Sequence, residues 1–375
     1  MPHLSTLVIQ NLRNLNSVNL SFSPGVNVLT GSNGAGKTSI LEAIAYLSTG
    51  RSFRTNKYRN IITEGEDQLL LRGDLHQDNL DVSQLAVLRN RGGEFKIKRN
   101  KEKVASASEL ARQFPLLVLD GHSFNFFEGS PKERRKLFDW LVFHVKHSFQ
   151  EHWLSTLKCY KQRNSLLRSD KMQYSDLEPW DQQIAALSLH IVQSRHSVFT
   201  TLSDVFSELA VSFHPELTGK ISVECHHGWK SEISTTDDIL ADLKNSFERD
   251  RTLGYSTLGP HKADIKIRIN KKPVVEALSR GQQKKLVSAL YLAMIKVLEV
   301  QNAVSAVFVA DDLSAELDNE SLRLLLQSIS SGNKQSFVTA IDGALVESQL
   351  NELGKSYKMF HVKHGECSSR DEEPA

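Results

Sequence analysis

One eight-residue stretch constrains this chain more than any other part of it. Gly31-Ser32-Asn33-Gly34-Ala35-Gly36-Lys37-Thr38 has the spacing G-x-x-x-x-G-K-T, with a β-prone run before it and a helix-prone run after it. A glycine-rich turn in that position wraps its backbone N–H groups around the β- and γ-phosphates of a nucleotide, and the positive end of the following helix faces the same anion. We expect Lys37 to reach the terminal phosphates and the Thr38 hydroxyl to hold Mg²⁺. These eight residues are therefore predicted to bind a nucleotide rather than to form a surface glycine turn.

Composition sets the outer limits of the interpretation. The 375 residues are 40% hydrophobic and 24% charged, which is typical of globular protein with two or three domains. The formal net charge is +2, so any surface that binds nucleic acid must be local. The three cysteines lack metal-ligand spacing and are expected to be free thiols in a reducing compartment. No run approaches the length of a membrane span, and the sequence predicts a cytoplasmic chain without a membrane partner.

Two stretches late in the chain point to the same phosphate chemistry as the glycine-rich loop. Ser279-Arg280-Gly281-Gln282 opens a predicted helix, whose N-terminus is suited to an anion, although Ser is also a common helix cap. Residues 304–310 form a buried-strand run that ends in Asp311-Asp312. An acidic pair at the carboxyl end of such a strand is where P-loop ATPases place a Mg²⁺-linked carboxylate and one that polarises the attacking water.

The order of these elements is typical of ATPases of the ABC type. In those proteins the signature Ser and Gly of one subunit cap the nucleotide on the P-loop of the other. This chain has one P-loop and one signature, so we expect an ATP-dependent head-to-tail homodimer that encloses two ATP molecules. The separation of Lys37 from Ser279 is longer than in transporter ATPases and far shorter than in SMC proteins, so the insert can build only a compact lobe.

The predicted fold class is α/β, an ABC/SMC-head-like P-loop ATPase domain with an inserted, mostly helical lobe. Residues 1–115 are predicted as the N-terminal part of the head, residues 116–250 as the helical lobe, and residues 251–366 as the C-terminal part of the head. A long amphipathic helix is expected from Trp180 onward, with apolar residues from Ile184 to Leu209, until Pro215 stops it. The polar residues 367–375 are expected to be a disordered tail.

Two basic stretches are candidates for contact with DNA. One surrounds a predicted strand turn and contains Arg89, Arg91, Lys96, Lys98, Arg99, Lys101 and Lys103. The other is the run at 132–136, which opens a predicted helix. Lys and Arg neutralise phosphates and release counterions, so either stretch could bind a phosphate backbone. A solvated hairpin face and an exposed helix start remain the alternatives.

Together the motifs resemble the RecF family of bacterial recombinational-repair ATPases, which are related to the SMC heads. The resemblance extends to about residue 366 and is carried by these segments: 12–14, 31–44, 50–54, 130–135, 138–140, 259–264, 278–282, 311–318 and 359–365. It implies an ATP- and Mg²⁺-dependent protein of gap repair that dimerises on ATP and binds double-stranded DNA and single-strand/double-strand junctions. It also implies slow, DNA-stimulated ATP hydrolysis, action with RecR and RecO to help load RecA, and support of replication and SOS induction.

The resemblance also implies roles for particular residues. Gly31, Asn33, Gly36, Lys37 and Thr38 would bind nucleotide and Mg²⁺, Ser279 and Gly281 would act in trans, Asp311 would serve the metal, and Asp312 would be the general base. Asp120-Gly121-His122 stands where the family has a Thr-Pro-Glu-like stretch, which leaves a γ-phosphate or Mg²⁺ sensing role there open. An SMC-like structural DNA clamp with negligible ATP turnover remains the alternative function. A nuclease would need a denser acidic cluster than Asp311-Asp312, and the sequence has none.

Overall fold

The computed structural model describes the chain apart from residues 1–2, 77–80, 170–172, 303–304, 333 and 372–375. Within the described residues the strands are β1 (His3–Leu12), β2 (Leu15–Ser21), β3 (Val26–Thr30), β4 (Gln68–His76), β5 (Val82–Asn90), β6 (Phe95–Arg99), β7 (Glu102–Lys103), β8 (Leu116–Leu119), β9 (Ile221–His226), β10 (Asp264–Ile269), β11 (Lys272–Pro273), β12 (Val307–Ala310), β13 (Ser336–Ala340), β14 (Tyr357–Lys363) and β15 (Glu366–Asp371). The α-helices are α1 (Lys37–Thr49), α2 (Ala107–Gln113), α3 (Pro131–Val145), α4 (Phe149–Leu166), α5 (Glu178–Phe213), α6 (Thr236–Leu253), α7 (Val274–Ala277), α8 (Arg280–Asn302), α9 (Leu313–Glu316), α10 (Asn319–Ile329) and α11 (Ala344–Glu352).

The chain divides into two compact units. The first consists of Met1–Phe124, Lys284–Ile295 and Ala303–Ala375, and the second of Asn125–Gln283 and Lys296–Asn302. Compared with the predicted boundaries, the first unit continues to Phe124 instead of residue 115. Residues 251–283, which were expected in the C-terminal part of the head, belong to the second unit. Helix α8 contributes its middle to the first unit and its ends to the second, a division that the sequence pattern does not reveal.

A mainly parallel sheet carries the glycine-rich loop. Its strand order is β15-β14-β3-β13-β12-β8, and neighbouring strands are parallel from β14 to β8. Strands β12 and β13 are buried at every position, as expected for parallel strands covered on both faces. Because all the carboxyl ends of the parallel strands lie at one edge, the segments that follow β3, β12 and β13 are brought together there.

A second sheet in the same unit is antiparallel, with the order β2-β1-β4-β5-β6-β7. Leu71 and Leu75 of β4 and Val87 of β5 are fully buried, and they alternate with more exposed residues, so one face of this sheet is apolar. Helix α1 belongs to the same hydrophobic core, through residues such as Leu41 and Ile44. This burial fixes the position of α1, the helix that begins at the glycine-rich loop.

The second unit is mostly helical, with a small sheet of order β11-β10-β9. The predicted amphipathic helix is present as α5, whose 36 residues agree with a pattern that begins near Trp180 and stops at Pro215. Its buried positions include Ile184, Ile191, Val198 and Leu202, at steps of seven and four residues. The helix ends at Phe213, immediately before the residues that lead to Pro215, as expected from the inability of proline to continue a helix.

The prediction of a disordered tail is wrong for residues 367–371. Strand β15 pairs antiparallel with β14, with Val362 opposite Cys367 and Lys363 opposite Glu366. Cys367 packs partly against the main core. The composition is polar because β15 is an edge strand with much of its surface in water, and polarity alone does not distinguish such a strand from a disordered tail. Residues 372–375 lie outside the described part of the chain.

Among the described residues, no helix is long and apolar enough to cross a membrane. The sheets and helices described above are those of an α/β protein with a mostly helical second unit, as the sequence predicts.

A buried ionic cluster joins helices α4, α5 and α6 of the second unit. The Arg163 guanidinium donates to Asp181 Oδ1, Asp250 Oδ2 and Ser256 Oγ, each at 2.7 Å. The side chain of Arg163 is 0% exposed, and those of Asp181 and Asp250 are 1% and 0% exposed. Removing the cation would leave two carboxylates buried without a counter-charge, which is costly even where the intact cluster adds little net stability.

We therefore expect Arg163→Met to lower the free energy of unfolding of the second unit by about 3–5 kcal/mol, measured by urea denaturation. Lys161→Met, at an exposed position of the same helix, is the control and should change it by less than about 0.5 kcal/mol. Equal midpoints for the two variants would show that the cluster does not support the fold.

Candidate nucleotide-binding site

The glycine-rich loop connects β3 to α1 in a conformation that requires its glycines. Gly31 has φ 145° and Gly36 has φ 122°, both in the region that other residues rarely adopt. A Cβ on Gly31 would lie 2.2 Å from the carbonyl oxygen of Val362, and one on Gly36 would lie 2.9 Å from Leu15 Cδ2. Ser32, Asn33 and Gly34 form the exposed tip of the loop, and Ala35 is buried beneath it. The loop is thus seated on its neighbours with its tip open to solvent.

Lys37 and Thr38 lie at the first turn of α1. The Lys37 ammonium donates to the carbonyl oxygens of Gly31, at 2.6 Å, and Ser32, at 3.1 Å. The Thr38 hydroxyl donates to Asp311 Oδ1 at 3.0 Å, across 273 residues of sequence. The structure therefore places the cation at the loop, and it brings together the two residues that were predicted to hold a metal.

The acidic pair follows β12, and a threonine from the neighbouring strand organises it. The Thr339 hydroxyl donates to Asp311 Oδ1 at 2.7 Å and accepts from the backbone N–H of Asp312, also at 2.7 Å. Asp312 has φ 54°, a left-handed conformation that is uncommon outside glycine. Its Oδ1 is buried and has no hydrogen-bond partner among the described residues. Thr339 thus links both aspartates.

The environment of Asp311 suits a divalent cation. Burial raises the pKa of its carboxyl above the ordinary value, and the negative charge of Asp312 adds to that shift, whereas the hydrogen bonds from Thr339 and Thr38 and the charge of Arg54 oppose it. A hydroxyl oxygen and carboxylate oxygens are the hard ligands that Mg²⁺ prefers. The unpartnered Asp312 Oδ1 is a further acceptor at the same edge, and a bound cation would offset the cost of the buried charge. The residues present therefore fit Mg²⁺.

A second cation beside the site comes from the loop after α1. Arg54 is near enough to lower the pKa of Asp311, and its Nη1 is 3.7 Å from Glu42 Oε2. Glu42 is fully buried on α1 and also accepts two hydrogen bonds of 2.9 Å from the Arg13 guanidinium and one from the Ser52 hydroxyl. No local sequence pattern predicts that Arg13 and Arg54 meet at Glu42. A buried Glu in the α1 pattern is the signal that could have found it.

The predicted signature lies in the second unit, at the start of α8. The Ser279 hydroxyl accepts from the Gln282 N–H at 3.4 Å, and Gln282 Oε1 accepts from the Ser279 N–H at 2.9 Å. Ser279 and Gly281 are exposed, and a Cβ on Gly281 would meet no atom within 4 Å. The packing of this chain therefore does not require glycine at 281.

The segment that departs from the expected family pattern has a local structural role. Asp120 Oδ1 accepts from the Ser123 N–H at 2.8 Å and from the Ser123 hydroxyl at 2.7 Å, which closes the turn after β8. Gly121 lies beside Glu316, whose carboxylate pairs with Lys284 of α8 at 2.6 Å. This turn therefore borders the segment that follows the acidic pair.

The basic hairpin divides into packed arginines and exposed lysines. The Arg89 guanidinium lies 3.8 Å from the ring centroid of Tyr58, Arg91 donates to the carbonyl oxygens of Glu66 and Thr63, and Arg99 donates to Ser83. The exposed members of the predicted cluster are Lys96, Lys98, Lys101 and Lys103. Lys98 and Lys103 are register partners on adjacent strands, so their charges lie side by side.

The other basic run is largely engaged by packing of the second unit. The Arg134 guanidinium makes two hydrogen bonds to the Asp264 carboxylate, at 2.8 and 2.9 Å. Arg135 donates to the carbonyl oxygen of Ala263 at 2.6 Å, and burial lowers its pKa. Only Lys132 and Lys136 of the run are exposed basic residues. The run therefore offers little charge to a DNA backbone.

Comparison with known proteins places the fold and the site in a family. Over residues 3–368 the chain matches the RecF/RecN/SMC N terminal domain family. It is 42% identical to the DNA replication and repair protein RecF of Saccharophagus degradans, with 98% of this chain and 99% of that protein covered. It is 40% identical to the protein of the same name of Teredinibacter turnerae, with 99% of this chain and 98% of that protein covered.

Solved structures give the same result. The recombination mediator protein RecF-ATPrS in the RecFOR pathway is similar with a TM-score of 0.84 and 25% identity, covering 98% of each chain. An Smc head domain from Pyrococcus furiosus shares the fold, with a TM-score of 0.59, 16% identity and coverage of 99% of this chain and 97% of that one. The fold and the arrangement at its sheet edge define an ABC-type P-loop ATPase related to the SMC heads. Within that class, the chain belongs to the RecF family.

The Thr339 network yields a prediction about pH. Thr339→Val keeps the side-chain shape but removes a hydrogen bond that stabilises the anionic form of Asp311, so the pKa of this carboxyl should rise further. A carboxyl with a raised folded-state pKa loses stabilising effect as pH rises through that pKa. In acid the variant should be less stable than the wild type by about 1 kcal/mol, because the Asp312 N–H also loses its acceptor, and at neutral pH the difference should grow by about 2 kcal/mol. Urea unfolding at several pH values measures this difference, Thr339→Ser should remain close to the wild type, and a pH-independent difference would contradict the assignment.

Proposed function

We propose that this chain is an ATP-dependent DNA-binding protein of recombinational gap repair, with ATP held at residues 31–38 as the Mg²⁺ complex. The observation that carries the proposal is the convergence of Lys37, Thr38, Asp311 and Asp312 at one sheet edge, in a chain of the RecF family. The similarity to RecF-ATPrS supports ATP as the nucleotide. The names of the relatives, which describe DNA replication and repair, support the assignment to repair.

The residues of the site have separable roles in this proposal. The Lys37 ammonium donates hydrogen bonds to loop carbonyl oxygens, and with nucleotide bound it would donate to the terminal phosphate oxygens instead. The loop N–H groups would hold the β-phosphate. Mg²⁺ bound by Thr38 and Asp311 would neutralise charge on the phosphates. The Asp312 carboxylate, with its free Oδ1, would orient the attacking water and accept its proton. Arg54 would add a positive charge at the same edge.

A second copy of the chain would complete each site. Ser279 and Gly281 are exposed, and the space around Gly281 is open, as suits a surface that meets a partner. Because one chain contributes one P-loop and one signature, a head-to-tail dimer would enclose two ATP molecules. Dimerisation on ATP follows, since the nucleotide would lie between the two copies.

This arrangement predicts complementation between two inactive variants. Lys37→Met should abolish hydrolysis because it removes the cation that contacts the terminal phosphates. Ser279→Arg should abolish it because the larger side chain blocks the contact between the signature and the nucleotide bound by the other copy. In an equal mixture, half of the dimers are mixed, and each mixed dimer retains one intact site out of two. The mixture should therefore hydrolyse ATP at about a quarter of the wild-type rate, measured as phosphate release.

The mixing experiment and its wild-type control distinguish shared ATPase sites from two alternatives. Activity in the mixture but in neither variant alone supports sites shared between copies. An active Ser279→Arg variant would contradict a signature that acts in trans. ATP-dependent dimerisation of the wild type without phosphate release, even with DNA present, would replace the ATPase with an SMC-like structural clamp.

The DNA surface is proposed to include the exposed lysines of the hairpin: Lys96, Lys98, Lys101 and Lys103. We expect tight binding of double-stranded DNA by the wild type with ATP and weaker binding with ADP, because two copies together present twice the charge. Replacing the four lysines with Gln should weaken binding and lower the slope of log affinity against log salt by about one per lost phosphate contact. The control is the pair Lys158→Gln and Lys161→Gln on α4, which are exposed but outside the hairpin. Fluorescence anisotropy over a salt series measures both quantities, and an unchanged slope in the hairpin variant would exclude this surface.

The remaining parts of the proposal rest on family membership. They are a preference for single-strand/double-strand junctions, slow turnover stimulated by DNA, a cytoplasmic location, and action with RecR and RecO in loading RecA, in support of replication and SOS induction. The similarity to a RecF protein of the RecFOR pathway supports the partnership.

A further inference from the structure

Three segments that are far apart in sequence meet behind the glycine-rich loop. Asn14 Nδ2, from the turn between β1 and β2, donates to the carbonyl oxygens of Gly34, at 3.1 Å, and Ala35, at 3.2 Å. The N–H of Gly365, in the turn between β14 and β15, donates to the same Ala35 oxygen at 2.9 Å. The Ala35 carbonyl is therefore held by two donors from opposite ends of the chain.

The geometry of the peptide unit gives these bonds a consequence on the other side of the loop. A trans peptide is planar, so the C=O of Ala35 and the N–H of Gly36 point in opposite directions. Holding the Ala35 carbonyl towards Asn14 and Gly365 turns the Gly36 N–H away from them, to the inner side of the loop. An anion-binding loop needs its N–H groups on that side. The two donors thus select the binding orientation of this peptide.

The two donors are themselves fixed. Asn14 Oδ1 accepts from the Ser39 hydroxyl at 3.0 Å, which sets the orientation of the amide group. The preceding Arg13 is anchored through its two hydrogen bonds to Glu42. On the other side, His364 and Gly365 have φ values of 50° and 82°, the left-handed pair that closes a two-residue hairpin. A Cβ on Gly365 would lie 2.2 Å from the carbonyl oxygen of Asn14, so the two turns are in direct contact.

We propose that Asn14 and Gly365 are positioning residues for the nucleotide phosphates, so that the C-terminal hairpin is part of the nucleotide site without touching the ligand. This inference rests on the proposed function, because it assumes that the loop binds a nucleotide. Loss of either donor frees the Ala35–Gly36 peptide to rotate, and the loop then spends part of its time without an inward N–H. The effect falls equally on ATP and ADP, since both present a β-phosphate to the loop.

The test compares two variants with matched controls in titration calorimetry with ATP and with ADP. Asn14→Ala removes two hydrogen bonds and should weaken both nucleotides about tenfold. Its control is Asn16→Ala, an exposed asparagine two residues along on β2, which should change affinity by less than about twofold. Gly365→Ala should weaken both nucleotides by a similar factor, through its clash with Asn14. Its control is Gly354→Ala, which has a comparable φ of 61° but no atom within 4 Å of the new Cβ.

The outcomes separate this inference from the proposed function. Thermal unfolding of the same samples shows whether each variant is folded: Gly354→Ala should lose stability from backbone strain alone, and Gly365→Ala should lose more because its new Cβ also clashes with the Asn14 carbonyl oxygen. Weaker nucleotide binding by folded Asn14→Ala and Gly365→Ala, with both controls near wild type, supports the positioning role. Wild-type affinity in the folded variants overturns it while leaving the nucleotide site in place. A wild-type protein that binds neither ATP nor ADP overturns the proposed function instead.

Discussion

The hydrogen bond from the Thr38 hydroxyl to the Asp311 carboxylate is the contact on which the candidate site depends. It joins the first turn of α1 to the end of β12, and 3.0 Å separates the two oxygens. Strand β13 lies between β3 and β12 in the sheet, and Thr339 at its end bonds the same carboxylate oxygen. Parallel pairing of these three strands therefore does more than build a core. It sets the distance between a helix start and an acidic strand end, and it leaves the intervening strand to orient both aspartates.

Burial gives the site its electrostatic character. A carboxyl removed from water is harder to ionise, and the pKa of Asp311 is raised for that reason, although two threonine hydroxyls and Arg54 favour its anionic form. The same burial strengthens the attraction of the site for a cation, because less water screens the charge. The site is thus costly to form as it stands and is improved by a bound metal, which couples metal binding to the stability of this sheet edge. In the second unit, the buried carboxylates of Asp181 and Asp250 are neutralised by the Arg163 side chain instead of by a bound ligand.

The sequence predicts the parts of this molecule that depend on local pattern. The P-loop spacing, the buried strand before Asp311 and the apolar periodicity of α5 each identify an element and its type, and the fold class follows from their order. Contacts across the chain are not encoded in a local pattern. Thr339, Glu42 and Asn14 acquire their meaning only when strands pair and turns meet. The strand at 366–371 was missed for a related reason, since its pairing with β14 supplies order that its polar composition does not indicate.

Arginine content is a poor guide to the proposed DNA surface, because most arginines of the two basic stretches are engaged in packing contacts. Arg134 and Arg195 each make two hydrogen bonds to an aspartate, at distances between 2.8 and 2.9 Å, and Arg135 donates to a backbone carbonyl. In the basic hairpin, the residues left exposed are four lysines, on a protein of net charge +2. The logarithm of affinity for a phosphate backbone grows with the number of phosphates neutralised, so a single copy that contacts DNA through four lysines would bind weakly at physiological salt. Pairing two copies doubles the number of contacts and raises affinity far more than twofold. In the proposed mechanism, a modest surface charge would allow ATP-driven dimerisation to control DNA binding, whereas a strongly basic chain would bind DNA with or without the nucleotide.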